Sequence, residues 1–488
     1  MRILLTTEGT YPYVRGGVST WAHSLIGGLS QHHFDVVAVV ANPAIRRAYP
    51  ALANSSLTMV PLWGSELPEE YVRIPRAVRR RLRTSRAAID RDFLPVLEVL
   101  LDEMLVAVSD PQTIADVLVE IARFSVRFDL RAALRDQRAW ALMLSRFTAN
   151  PLYLHTSLND AVDLARSLFR YLIPLTVPLP EVDVVHSTAA AFCVLPALID
   201  KLERGTPLML SEHGVYLRER ILDLVRSRVH TLGKTMFSNL YRGLTHAAYR
   251  YADLVVPVCA YNTRWEFELG VPAERTRIIY NGVDPAHFAP GTNKSEGMTV
   301  AYVGRIDPLK DNLTLIRAVR LVHESMPEVR FRVFGPESDQ GYARRCRAAV
   351  RDCGLESTFI FEGPTDDVVS AYVNSDLVVL SSQSEGFPFS IVEAMMCGRP
   401  IVATAVGGVT EALGDPNLLA PPQNAPALAA RIVEQLSRPQ QEREVIGASL
   451  RQRAQRLFSR DAFLSEYDRL YETLGSQQST RSLVLAPS

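Results

Sequence analysis

Five short apolar runs between residues 298 and 406 do most to restrict what this chain can fold into. They read MTVAYVGRI, VRFRVFG, TFIFEG, LVVLSS and PIVATAV, separated by helical patterns such as LTLIRAVRLVHE and YARRCRAAVRDC. Strands alternating with helices on this scale imply a doubly wound parallel sheet. The front of the chain repeats the theme with RILLTTEG, FDVVAVVA, VDVVHST, PLMLSEHG, ADLVVPVC and RIIYNGVD, all read as strands. Two α/β units of the doubly wound kind are therefore expected. From about 62 to 175 the strand runs stop, and patterns such as FLPVLEVLLDEMLVAV and DAVDLARSLFRYLI take over. That stretch reads as a helical insertion in the first unit or as a separate helical domain. PAHFAPGTNKSEG reads as a linker and the tail GSQQSTRSLVLAPS as polar and disordered at its end. The expected boundaries are 1–275, 276–460, and a closing helix over 461–488 that returns to the first domain.

A chain of 488 residues is too long for one core. Its 53 Lys plus Arg balance 53 Asp plus Glu, so no global field draws it to nucleic acid. Five scattered cysteines without a C-x-x-C pair fit reduced thiols rather than a disulfide frame or zinc site. MRILLTTEGTYP is too short in its apolar part for a signal peptide, and the longest apolar runs fall short of a membrane span. A cytoplasmic protein is expected.

The stretch SEGFPFSIVEAM places Glu385 and Glu393 around a Gly-Phe-Pro turn at a strand end. Gly386 permits the turn, and Pro388 suits a first helical position. A helix N-terminus at the carboxyl edge of a parallel sheet favours an anion such as phosphate. A carboxylate accepts two hydroxyl protons well, so vicinal diols suit Glu385 and Glu393. Diols at both ends with negative charge between describe a nucleotide sugar. Two glutamates eight apart also arise by chance, and Glu393 alone would serve as a helix-favouring residue.

The block SEGFPFSIVEAMMCGRPIVATAVGG resembles the E-x7-E signature of retaining glycosyltransferases of family 4, and VGRIDPLKDN resembles their G-R-x4-K element. At the front, EGTYPYVRGGVSTWAHSL and SEHGVYLRERIL are similar to the PelF-like cytosolic glycosyltransferases of Pel exopolysaccharide assembly. The resemblance implies the GT-B fold: two Rossmann-like domains, the first for the acceptor and the second for the nucleotide sugar. It implies that Glu393 binds the ribose diol, Glu385 the donor sugar, and Arg305 and Lys310 the diphosphate. Gly304, Gly386, Phe387 and Pro388 would line the donor site. Two fixed cations can stabilise a departing diphosphate without a metal, so no metal and no cofactor beyond the UDP-sugar substrate are expected. As surface cations, Arg305 and Lys310 would mean nothing.

Gly16 and Gly17 precede a helical pattern and would let backbone amides approach a phosphate, or would simply form a turn. His213, in SEHG after a strand, is expected at the catalytic centre by resemblance. Glu212 and Arg218 are weaker candidates for shaping the acceptor site, as is His186 in VVHST. Asp90 and Asp92 spell D-R-D but lie in a basic helical stretch, which discounts metal binding. The basic run YVRIPRAVRRRLRTSR reads as a solvated face, a lipid-facing helix or a contact for an anionic partner. Gly335-Pro336 departs from the family pattern, where a second glycine is usual, and leaves the nucleotide's identity open although UDP is implied.

The expected reaction moves a hexose from a UDP-sugar to a hydroxyl of a glycan, lipid-linked or other acceptor. Expected partners include membrane-bound polysaccharide synthase subunits, and the expected location extends to the inner membrane face. Two alternatives remain: a non-catalytic nucleotide-sugar-binding subunit, and a GT-B epimerase.

Overall fold

A computed structural model of the chain describes residues 1–63, 74–106, 110–292 and 297–485. The start of the basic run (71–73), part of the linker, two residues of the FLPVLEVLLDEMLVAV helix reading and the last three residues lie outside the described ones. Two compact units emerge. The first holds Met1–Pro257, Thr263–Arg277 and Asp468–Ser488; the second holds Val258–Asn262 and Ile278–Tyr467.

The first unit carries strands β1 (Arg2–Glu8), β2 (His33–Val40), β3 (Ser55–Pro61), β4 (Val184–Ser187), β5 (Leu208–Glu212) and β6 (Leu254–Pro257). All pair in parallel, in the order β3-β2-β1-β4-β5-β6. The centre strand β1 pairs Ile3 with Phe34 on one side and with Val184 on the other. Ile3 to Thr7 are all buried, as a strand covered on both faces requires. β3 has no strand reading in the sequence, because Thr58, Met59 and Pro61 blur its pattern.

Between β3 and β4 the chain is helical, from Ile74–Arg83 to a short turn ending at Thr176. These helices share one core with the sheet: Leu97, Ile121, Phe147 and Leu168 belong to the same buried cluster as Leu4 and Val185. Asn239 reinforces the join by donating 3.0 Å to the Met104 carbonyl. From Asp468 on, the closing helix Arg460–Leu485 also packs in the first unit. The Asp468 carboxylate lies 2.7 Å from His32 Nε2, and the Tyr471 hydroxyl 2.7 Å from His186 Nδ1. The polar tail continues this helix as far as Leu485, and its end, read as disordered, lies outside the described residues.

The second unit carries β7 (Thr299–Val303), β8 (Arg330–Phe334), β9 (Phe359–Gly363), β10 (Leu377–Leu380), β11 (Ile401–Thr404) and β12 (Leu419–Ala420). Their order is β12-β11-β10-β7-β8-β9, again parallel. RIIYNGVD is not a strand. Its Val283 makes a single bridge to Ser459, and Thr276 just before it makes one to Val255. Among the described residues, no helix is long and apolar enough to cross a membrane.

Candidate active site

In the second sheet the strand order reverses between β7 and β10, and loops leaving the carboxyl ends of such neighbours diverge to open a ligand crevice. Arg305 and Lys310 follow β7; Glu385, Gly386 and Phe387 follow β10. Two stretches more than seventy residues apart are thus delivered to one edge. The Lys310 ammonium donates to Glu385 Oε1 at 2.6 Å, with both side chains mostly buried.

The first loop is internally braced. Asp307 Oδ1 accepts from the amides of Leu309 (3.0 Å) and Lys310 (3.1 Å), while its other oxygen lies 3.2 Å from the Arg305 guanidinium. Asp311, held at φ 49°, caps helix Asn312–Ser325 through the Thr314 amide and hydroxyl. Lys310 therefore sits just ahead of a helix N-terminus, where the helix dipole favours negative charge. Tyr302, fully buried, donates its hydroxyl to the Arg305 carbonyl. The Arg305 side chain itself is half-exposed and free to reach a ligand.

The second loop is braced from below. The Ser382 hydroxyl donates to Glu385 Oε1, the same oxygen that takes Lys310, and Thr404 donates to the Ser382 carbonyl at 2.6 Å. Ser381 donates 2.9 Å to the Lys310 carbonyl, tying the loops together. Gly407, at φ 52°, passes so near that an added Cβ would lie 1.8 Å from the Glu385 carbonyl oxygen. The Gly408 amide donates 2.7 Å to Gly386 O. Gly335, at φ 148°, leaves 2.0 Å between a built Cβ and Gly304 O, so the Gly-Pro departure keeps the glycine that the packing demands. The Pro336 carbonyl then accepts from the Ile306 amide at 2.9 Å.

Helix Phe389–Met396 begins after Pro388, which is its N-cap at φ −75°, ψ 123° and not its first helical residue. The extended ψ that leaves the turn excludes Pro388 from the helix. Phe387 is buried against Tyr280, ring centroids 5.0 Å apart, and its carbonyl accepts from Asn281 at 2.8 Å. Glu393 accepts from the buried Tyr372 hydroxyl at 2.8 Å on Oε2. Burial pushes its pKa up to about 7, with the Tyr372 bond opposing. Oε1 carries no such bond and remains for another donor.

In the first unit, Gly17 opens helix Gly17–Gly28 and Gly16 is its extended N-cap. No atom lies within 4 Å of a Cβ built at Gly16, so its own surroundings do not require a glycine there. His213 packs edge-on to Trp21, centroids 4.6 Å apart, and its buried Nε2 has no hydrogen-bond partner. Burial drives its pKa down to about 3, which keeps the ring neutral.

Other candidates belong to the scaffold. His186 is fully buried between the hydroxyls of Tyr471 (2.7 Å) and Ser211 (2.8 Å). Glu212 is buried and accepts from the Ala190 amide (3.1 Å) and the Tyr249 hydroxyl (3.0 Å), and burial pushes its pKa well up. It is buried like every residue of β5. Asp90 pairs with Arg138 and Asp92 with Arg91 in a π-helical turn. Among the described residues, no group of three His, Cys, Asp or Glu could hold a metal ion. Asp307, Ser382 and Tyr372 were not singled out in the sequence; only Asp307, inside VGRIDPLKDN, stood within a recognisable motif.

Residues 1–274 match the family described as Domain of unknown function (DUF3492), and residues 297–438 match that described as Glycosyl transferases group 1. The D-inositol 3-phosphate glycosyltransferase of Mycobacterium sp. (strain KMS) is 36% identical over 154 residues, 29% of this chain and 34% of that protein. That of Acidothermus cellulolyticus is 32% identical over 163 residues, 30% of this chain and 36% of that protein. The chain thus spans about a third of the length of the curated relatives it matches. Among solved structures, Anabaena Alr3699/HepE in complex with UDP and glucose superposes with TM-score 0.58 at 16% identity, covering 96% of this chain and 99% of that one. Sucrose-phosphate synthase from Thermosynechococcus elongatus gives TM-score 0.60 at 17% identity, covering 98% and 99%. The chain has the GT-B fold, with two Rossmann-like units.

Proposed function

Because the chain belongs to the DUF3492 family and continues into a region matching the group 1 glycosyltransferases, we propose that it transfers a sugar from a nucleoside diphosphate sugar to an acceptor hydroxyl. One observation carries the reading: Lys310 and Glu385, from the loops on either side of the second sheet's reversal point, meet at 2.6 Å. A cation and a carboxylate at that edge suit a diphosphate beside a sugar.

In this reading Arg305 and Lys310 bind the diphosphate, and Glu393 takes a ribose hydroxyl on its Oε1. Glu385 accepts from hydroxyls of the donor sugar. The bond from the anomeric carbon to the β-phosphate oxygen breaks, and its electron pair leaves with the diphosphate. The acceptor oxygen bonds to that carbon and its proton passes to the leaving phosphate. Each charge-assisted hydrogen bond to the departing phosphate contributes about 1.5–3 kcal/mol, so two cations account for several powers of ten in rate. Gly16 and Gly17 would offer amides to the donor, and the neutral His213 would orient the reacting sugar. No metal enters the scheme, since the cations do that electrostatic task.

The resemblance to family 4 and to PelF-like enzymes supports retention of anomeric configuration, a UDP-hexose donor, and a place in exopolysaccharide or glycoconjugate assembly. It equally supports action on the cytoplasmic side, next to membrane-bound synthase subunits. The test is release of UDP from a panel of UDP-sugars with candidate acceptors, with product anomers read by NMR. Acceptor-dependent UDP release that Lys310→Ala abolishes is expected. Donor binding without release would favour a binding subunit, and acceptor-independent conversion of the donor an epimerase.

A further inference from the structure

Ser382 follows β10 and is fully buried, and its hydroxyl donates to Glu385 Oε1, three residues on. The same oxygen takes the Lys310 ammonium at 2.6 Å. Among the described residues, both bonds to the Glu385 carboxylate fall on Oε1, which leaves Oε2 for a ligand. Ser382 is itself fixed from the next strand. Thr404, fully buried at the end of β11, donates its hydroxyl to the Ser382 carbonyl at 2.6 Å. On either side, the Ser381 hydroxyl donates to the Lys310 carbonyl at 2.9 Å, and the Gln383 amide to the Leu309 carbonyl at 2.8 Å. Three consecutive residues are thus tied down, and the middle one holds the carboxylate.

The two donors on Oε1 are not equivalent. Lys310 is a point charge on a flexible four-carbon stem, and turning it toward a phosphate changes what it offers Glu385. Ser382 carries its hydroxyl on a single carbon above an anchored backbone, so its bond persists when Lys310 turns. The mostly buried carboxylate then keeps a partner throughout. We propose, on the premise that this edge binds a nucleoside diphosphate sugar, that Ser382 is a positioning residue: it grips Glu385 by Oε1 and so aims Oε2 at the donor sugar. The supporting hydroxyls matter because a misplacement of about 1 Å costs on the order of a hundredfold in rate.

Titration calorimetry on the full chain separates the two parts of the ligand. The probes are UDP-glucose, ADP-glucose, UDP-N-acetylglucosamine and GDP-mannose, each beside its free nucleoside diphosphate. Ser382→Ala, and Ser382→Cys, which keeps the size with a weak donor, should leave the Kd for the free diphosphate within about twofold of wild type. The Kd for the sugar nucleotide that wild type binds most tightly should rise at least about fivefold. Added to Glu385→Ala, Ser382→Ala should change neither Kd by more than about twofold, because nothing is left to position. A merely structural serine would weaken diphosphate and sugar nucleotide alike, or lower the melting temperature with both Kd values unchanged. Either result overturns the inference, as does an undiminished effect of Ser382→Ala in the Glu385→Ala background. Wild type that binds no sugar nucleotide removes the donor reading and the inference with it. Wild type that binds one, matched by both Ser382 variants, sinks the inference alone.

Discussion

The ammonium of Lys310 stands 2.6 Å from Glu385 Oε1, although 75 residues separate them in the chain. Replacing Lys310 with alanine removes the proposed diphosphate contact and leaves a mostly buried carboxylate with Ser382 as its remaining partner among the described residues. Turnover should fall roughly a hundredfold or more. Stability should fall by about 1–3 kcal/mol. UDP release and urea unfolding measure the two losses. A surface lysine would change stability within about 0.5 kcal/mol and leave turnover alone.

Glu393 titrates near neutrality, because burial raises its pKa to about 7. Its carboxylate form, needed to accept from a ribose diol, is populated above that value. The KM for the donor should therefore drop as pH rises from about 6 to 8. Tyr372→Phe removes the bond that favours the charged form, so the midpoint should move to higher pH. For stability the sign is opposite: the raised pKa costs nothing below about 4.5, and its full cost appears above about 7. A pH-independent KM in both proteins would remove Glu393 from donor binding.

Two glycines should behave differently on conversion to alanine. Gly407 has φ 52° and would press a Cβ to 1.8 Å from the Glu385 carbonyl, so Gly407→Ala should displace the turn and lower both melting temperature and activity. Gly16 is extended with open space around it, so Gly16→Ala should cost no more than about 1 kcal/mol as a changed N-cap. A loss of activity there without loss of stability would mark close approach of a ligand to the backbone.

His186 is buried neutral, its pKa driven down to about 3 by burial, with the neighbouring His213 adding to the effect. Its folded pKa is below the unfolded value of 6.5, so the stability it secures is present above 6.5 and drains away as pH falls toward 3. The loss amounts to about 1.4 kcal/mol per pH unit below 6.5. Denaturant midpoints at pH 7 and 5 should show the first unit weakening, and His186→Gln should flatten that dependence.

The two loops that bring Lys310 to Glu385 were legible because their charged residues sit in two short blocks next to strong strand signals. VGRIDPLKDN and SEGFPFSIVEAM each fix a loop and a helix start within a dozen residues. Tyr372 and Ser382 were not singled out because they act through a single hydroxyl each, and a hydroxyl has no spacing to announce it. Glu212, a weaker candidate in the sequence, is buried and accepts from the Tyr249 hydroxyl and the Ala190 amide, which its place in SEHG does not announce. RIIYNGVD has a strand's composition, but a strand needs a neighbour along its whole length, and the bridge this segment makes is a single one, at Val283.

Gly407 pressed on Glu385, and Gly335 pressed on Gly304, leave the main chain of these loops almost no room to drift. Anyone retuning which donor is accepted would have to keep that frame and alter protruding groups. Changes at Arg305, whose guanidinium extends into solvent, can be made without touching the frame, whereas insertions between Glu385 and Gly408 would dismantle it. The route to new specificity in this chain is side-chain exchange on a fixed chassis, not loop remodelling.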